Sequence, residues 1–143
     1  MTDGVCRSLV ENAPDAVLIA DRQGTIRFWN DAATRMFGFS SEEAIGSSLD
    51  LIIPEPFRKR HWEGYRRVME SGVTSYADRL LNVPGVNSRG EGISLEFSVI
   101  LLRDDRGAPT GCGAILRDVT PRWERERELQ RRLAECESGL HRP

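Results

Sequence analysis

Residues 16–30, AVLIADRQGTIRFWN, hold two short runs of β-forming residues, 16–20 and 25–29, on either side of Asp21-Arg22-Gln23-Gly24. Alternating apolar residues around a turn glycine predict a β-hairpin. After this hairpin the hydrophobic period changes, and the change sets the fold class.

In the next segment, DAATRMFGFSSEEAIGSSLDLIIPEP, Asp31 is expected to cap a helix over Ala32 to Phe37, and Ser40-Ser41-Glu42-Glu43 to start another turn with acids at its positive end. Gly38, Gly46, Pro54 and Pro56 keep these helices short. A longer helix is predicted from Pro56 to Ser71, stopped by Gly72. On it Phe57, His61, Tyr65 and Val68 recur at helical spacing as one inward stripe. Trp62 points about 100° away from His61 on an ideal helix, which suits a lid or dimer contact better than a ligand.

Strands return afterwards. YADRLLNV (76–83) precedes a loop, PGVNSRGEG, and then ISLEFSVIL (93–101), where Ile93, Leu95, Phe97, Val99 and Leu101 alternate with Ser94, Glu96, Ser98 and Ile100. One wet and one buried face follow, as in an antiparallel sheet. RDDRGAPT turns into a last strand, GCGAILRDV (111–119). The expected class is therefore α+β, one antiparallel sheet with helices gathered over one face.

Both ends are expected to be helical. Val5, Leu9 and Val10 give residues 1–14 a cap helix, and residues 15–120 form the core. Residues 121–143 form a charged helix whose Leu129, Leu133, Cys136 and Leu140 make a narrow seam for a partner helix or for the domain's own sheet.

Composition excludes several classes. The 143 residues, 39% hydrophobic, suit one domain with its own core. Twenty basic against 22 acidic residues leave a net charge of −2, so no global field favours nucleic acid or an acidic membrane. Cys6, Cys112 and Cys136 form no CxxC element, which argues against zinc and for a reducing compartment. With no signal-like leader and no apolar run near the roughly 18 residues of a membrane span, a cytoplasmic location is expected. No carboxylate pair, Ser-His-Asp set or phosphate-cradling loop appears, so no enzyme is expected.

Two stretches resemble a known family. ENAPDAVLIADRQGTIRFWNDAATRMFGFSSEEAIG is similar to the first half of PAS (S-box) sensory domains, and GCGAILRDVTPRWERERELQ to their last strand and exit helix. The resemblance implies a five-stranded antiparallel sheet in the order 2-1-5-4-3, with a pocket between sheet and helices. LIIPEPFRKRHWEGYRRVMESG further resembles the haem-binding PAS domains of FixL-type oxygen sensors. It implies b-type haem, with His61 as the iron ligand and a diatomic gas on the distal side.

The same resemblance puts Arg67 near a haem propionate, while Leu95, Phe97 and Val99, with Leu81 and Val83, would exclude water. At two positions the chain departs from the pattern: Leu81 stands where the family has its oxygen-contacting arginine, and Ser75 where it has a second propionate-contacting histidine. Tyr76 and Arg79 are candidate substitutes, although Arg79 serves equally well as a surface arginine. His61 also has a plain reading as a core histidine, and Tyr65 as packing. The asparagine-cysteine-arginine-phenylalanine signature of flavin-binding relatives is missing.

The expected function is a haem-binding gas sensor that signals through its C-terminal helix. The alternative is a cofactor-free PAS module for dimerisation or partner docking, or one binding another small ligand. Expected partners are a second copy through the terminal helices and a histidine kinase or regulator.

Overall fold

The computed structural model describes residues 2–74 and 80–140. Helix α1 spans Asp3–Glu11, β1 Ala16–Asp21, β2 Ile26–Trp29, α2 Asp31–Phe37, α3 Ser41–Ala44 and α4 Glu55–Ser71. They are followed by β3 Leu81–Val86, β4 Gly92–Arg103, β5 Pro109–Asp118 and α5 Thr120–Leu140. A single 3-10 turn, Leu49–Ile52, leads into α4.

The five strands form one antiparallel sheet in the order β2-β1-β5-β4-β3. Register sets which side chains share a face, because strand side chains alternate. Ala16, Leu18 and Ala20 lie opposite Leu116, Ala114 and Cys112. Leu116 and Ala114 in turn face Phe97 and Val99. Ala16, Leu18, Ala20, Leu95 and Leu116 pack with Phe37, Ala33, Ile26 and Trp29 into the core under the short helices. The other face carries Ile100 and Ile115, both exposed.

Local chemistry accounts for the helix starts. Asn30, not the expected Asp31, caps α2: its side chain accepts from Ala33 N–H, and Asp31 is already in the first turn. Buried Asn30 also accepts from Val17 N–H and donates to the carbonyls of Val10 and Asp15, so one amide joins α1, β1 and α2. Ser40 and Glu43 form a reciprocal capping box on α3.

Three other expectations change. The third strand is expected at 76–83; residues 76–79 lie outside the described residues, and β3 spans Leu81–Val86, continuing through Pro84 and Gly85, which read as loop. It is an edge strand, paired among the described residues with β4 alone, and an edge has room for a proline that donates nothing. At Gly85 a Cβ would lie 2.6 Å from Leu95 Cδ1, so the Leu95 side chain packs over the glycine. Helix α1 buries none of its residues, and Val5 and Leu9 remain exposed. On α4, Phe57 is 46% exposed and Met69 4%, so the inward stripe runs through Arg58, His61, Trp62, Tyr65, Val68 and Met69.

The exit from the sheet is tight. Val119 alone separates β5 from α5; its N–H donates to the Ser94 carbonyl, and Ser94 N–H donates to Thr120 Oγ1. Leu129 and Leu133 on α5 are exposed.

Candidate functional site

Helix α4 is tied to the rest of the domain along one flank. Trp62 Nε1 donates to Asp50 Oδ1 at 2.7 Å, and its indole lies over Gly24, where a Cβ would come within 2.1 Å of the ring. Trp62 is therefore an inward packing residue, not the expected lid or dimer contact. Tyr65 donates its hydroxyl hydrogen to the Asp21 carbonyl. Arg58 donates to the carbonyls of Ile53 and Asp50, fixing the start of the helix to the 3-10 turn.

His61 sits among these groups. Its ring centroid is 4.7 Å from that of Trp62, edge-on, and 5.7 Å from that of Tyr65. Its Nδ1 is buried and has no hydrogen-bond partner. Burial holds the imidazole pKa below the usual histidine value, and the nearby Asp50 carboxylate opposes this only in part. The result is a neutral imidazole with an unclaimed ring nitrogen. Neutral imidazole is the donor that haem iron accepts from histidine, so His61 fits that group as a ligand. Among the described residues no three His, Cys, Asp or Glu side chains cluster to hold a metal by themselves. A haem would bring its own iron, so a single side-chain donor, His61, would be enough to hold it.

The apolar residues expected opposite are brought together. Leu81 pairs with Phe97 and Val83 with Leu95 across β3 and β4, and Val99 pairs with Ala114 of β5. Leu95 is buried and Leu81, Phe97 and Val99 are half-buried, but Val83, expected to help exclude water, is exposed. Arg67 is exposed, and six residues on from His61 it lies about 120° round the helix. Tyr76 and Arg79, like Ser75, lie outside the described residues.

Sequence reasoning missed Asp50, Asp21 and Cys112. Asp50 reaches Trp62 from twelve positions upstream, and the Asp21 contact to Tyr65 uses only a main-chain oxygen, which no side-chain pattern announces. Cys112 approaches the Tyr65 hydroxyl because β5 places it opposite Ala20; burial is the first cause that raises the pKa of both groups. Asn30 had a visible signal, since it is as good a capping residue as its neighbour Asp31.

A second feature lies on the flank of α4 nearest the β1–β2 turn: a groove of about 560 Å³ lined in part by Arg22, Trp62, Tyr65 and Arg66. His61 does not line it. No helix among the described residues is long and apolar enough to cross a membrane.

The fold has known counterparts. The chain is 31% identical over 134 residues to the sensor protein FixL of Bradyrhizobium diazoefficiens, covering 94% of this chain and 25% of that protein. It is 29% identical to the cell-division control histidine kinase PdhS of Brucella abortus, covering 92% of this chain and 12% of the kinase. It thus spans a quarter or less of these relatives. The solved PAS domain of a Colwellia psychrerythraea protein superposes with a TM-score of 0.72 at 19% identity, covering 82% of this chain and 97% of that one. An RNA-binding light-oxygen-voltage receptor superposes at 0.71 and 20% identity, covering 92% and 37%. The family model for the PAS fold matches residues 10–124. The sheet order, the helical layer and the matched span lead to one conclusion: this chain belongs to the PAS fold family, as a sensor domain related to those of histidine kinases.

Proposed function

We propose that the domain binds b-type haem through His61, senses a diatomic gas on the side of Leu81, Leu95, Phe97 and Val99, and passes the signal through α5 to a kinase or regulator in the cytoplasm. The reading rests on the half-buried imidazole of His61, whose Nδ1 is buried and unclaimed. When bound, the haem supplies the iron that takes the gas. The chain's own part is to hold a neutral nitrogen donor on α4 and to keep water away with apolar strand residues. No catalytic step is assigned to the domain. Leu81 at the start of β3 gives the gas no hydrogen-bond donor, so gas selectivity here differs from that of a site with arginine in this position.

The test is an absorption spectrum of protein expressed with haem supplied. A Soret band in the wild type whose position and intensity change in His61→Ala supports the reading. No haem uptake, or unchanged iron coordination in the variant, overturns it.

A second reading, a cofactor-free dimerisation or docking module, is favoured by Val5, Leu9, Leu129 and Leu133, all exposed on the terminal helices. Sedimentation at micromolar concentration separates the two. A dimer that dissociates when Leu129 and Leu133 become lysine supports self-association, whereas a monomer unchanged by these substitutions overturns it.

A further inference from the structure

The groove between α4 and the β1–β2 turn has the chemistry of a binding site in its own right. It is an open trough beside the helix, with about 560 Å³ of space along its lining. Trp62, Tyr65 and buried Met69 supply an aromatic and apolar wall. Trp62 and Tyr65 are each fixed by a hydrogen bond, to Asp50 and to the Asp21 carbonyl, so the wall is formed in advance.

The polar side of the groove is cationic. Arg22 Nη1 donates to the Pro109 carbonyl at 2.8 Å and Nη2 to the Met69 carbonyl at 3.5 Å. These bonds hold the guanidinium in place without neutralising it. Neither Arg22 nor Arg66 has a carboxylate partner among the described residues. Glu70 on the same lining offsets one of the two cations, leaving a single net positive charge. Gln23 and Ser48 add neutral hydrogen-bonding groups at the rim.

We propose that this groove binds a planar aromatic monocarboxylate, its ring against Trp62 and Tyr65 and its carboxylate on Arg22 and Arg66. Flat guanidinium groups match carboxylate geometry, and the excess of one charge favours a monoanion over a phosphate ester. Bound there, the ligand would press on the two aromatic residues whose rings contact His61, making the groove an effector site on α4.

The test uses haem-free protein, so its outcome does not depend on iron ligation by His61. 2-Naphthoate and its neutral counterpart 2-naphthylmethanol are titrated while amide and indole resonances are followed by NMR. Saturable shifts at Gln23 and the Trp62 indole with naphthoate, weaker binding of the alcohol, and a loss of about tenfold or more in Arg66→Gln are expected, from the strength of charge-assisted hydrogen bonds. Arg66 is exposed, so this variant keeps the fold. Non-saturable shifts, equal affinity for the alcohol, an undiminished affinity in Arg66→Gln, or shifts confined to Leu95 and Phe97 would each overturn the proposal.

Discussion

The hydroxyl of Tyr65, midway along α4, donates to the main-chain carbonyl of Asp21 at the end of β1. This bond joins the helix that carries His61 to the central part of the sheet, 44 residues away in sequence. Tyr65→Phe keeps the ring and removes the donor, while the Asp21 carbonyl still accepts from Gly24 N–H. A loss of about 0.5–1.5 kcal/mol in stability, that of one net hydrogen bond, is expected, measured by urea denaturation. A variant as stable as wild type would mean that the Gly24 bond alone satisfies the carbonyl.

The same contact has a pH signature. Burial is the first cause that raises the Tyr65 pKa, with the Cys112 thiol and Asp21 adding to it, well beyond the ordinary tyrosine value of 10.0. Folding therefore favours the neutral phenol. Its contribution is complete below about pH 10, the unfolded value, and is lost as pH rises towards the folded one. The chain has two tyrosines, so Tyr76→Phe leaves Tyr65 as the remaining phenol. In that variant absorbance at 295 nm should stay flat through the normal tyrosine range and rise only with alkaline unfolding. Titration near pH 10 in the folded protein would refute it.

Trp62 and Gly24 test the packing of α4 on the hairpin turn. Gly24 has a φ of 80°, and a Cβ there would lie 2.1 Å from the Trp62 ring. Gly24→Ala thus meets both a left-handed backbone cost of about 1–2 kcal/mol and a collision. In Trp62→Ala the collision is gone and only the backbone cost remains. The double-mutant cycle should show a coupling of about 1 kcal/mol or more, with the pair less destabilised than the sum of the single changes.

Much of this arrangement was legible in the sequence, and the failures have physical causes. The hairpin at 16–29 and the strand at 93–101 announce themselves because a two-residue period with one buried face matches the pleat of a strand and not the turn of a helix. The stripe on α4 was shifted because Arg58, not Phe57, faces the 3-10 turn, where it donates to two carbonyls, so Phe57 is left exposed while Met69 is buried. Periodicity gives a face but not the depth at which each turn sits. Pro84 and Gly85 read as loop because an edge position, unlike a central one, leaves no mark on the local sequence. His61 was legible through its neighbours, whereas Asp50 and the Asp21 carbonyl were not, since they act across the fold.

Asn30 offers a sharper stability test than an ordinary helix cap. Its buried side chain accepts from Val17 and Ala33 and donates to Val10 and Asp15. A single exposed cap is worth about 1 kcal/mol, and Asn30→Ala strands several buried groups at once. A loss of about 2–4 kcal/mol by thermal or chemical denaturation is expected from those stranded groups. Asn30→Asp, which keeps the acceptor but removes the two donors, should fall between wild type and alanine.

Two arginines fasten the C-terminal end of α4. Arg22 bridges the carbonyls of Met69 and Pro109, and Arg103 bridges those of Gly72 and Gly107. Each links the helix end to the approach to β5. In Arg103→Ala the last-turn amides of α4 should exchange with deuterium faster than in wild type, with protection in β1 unchanged. Equal exchange throughout would show that Arg22 alone holds the end.

Val119 gives the sheet and α5 a joint without play. A flexible connector would absorb a strand movement in its own torsions, but here both sides of the single residue are pinned to Ser94. A change in strand twist at β4 and β5 must then appear as a swing or roll of α5. Over 21 residues at 1.5 Å each the helix is a lever of roughly 30 Å, so a tilt of a few degrees at the sheet becomes a displacement of ångströms at its far end.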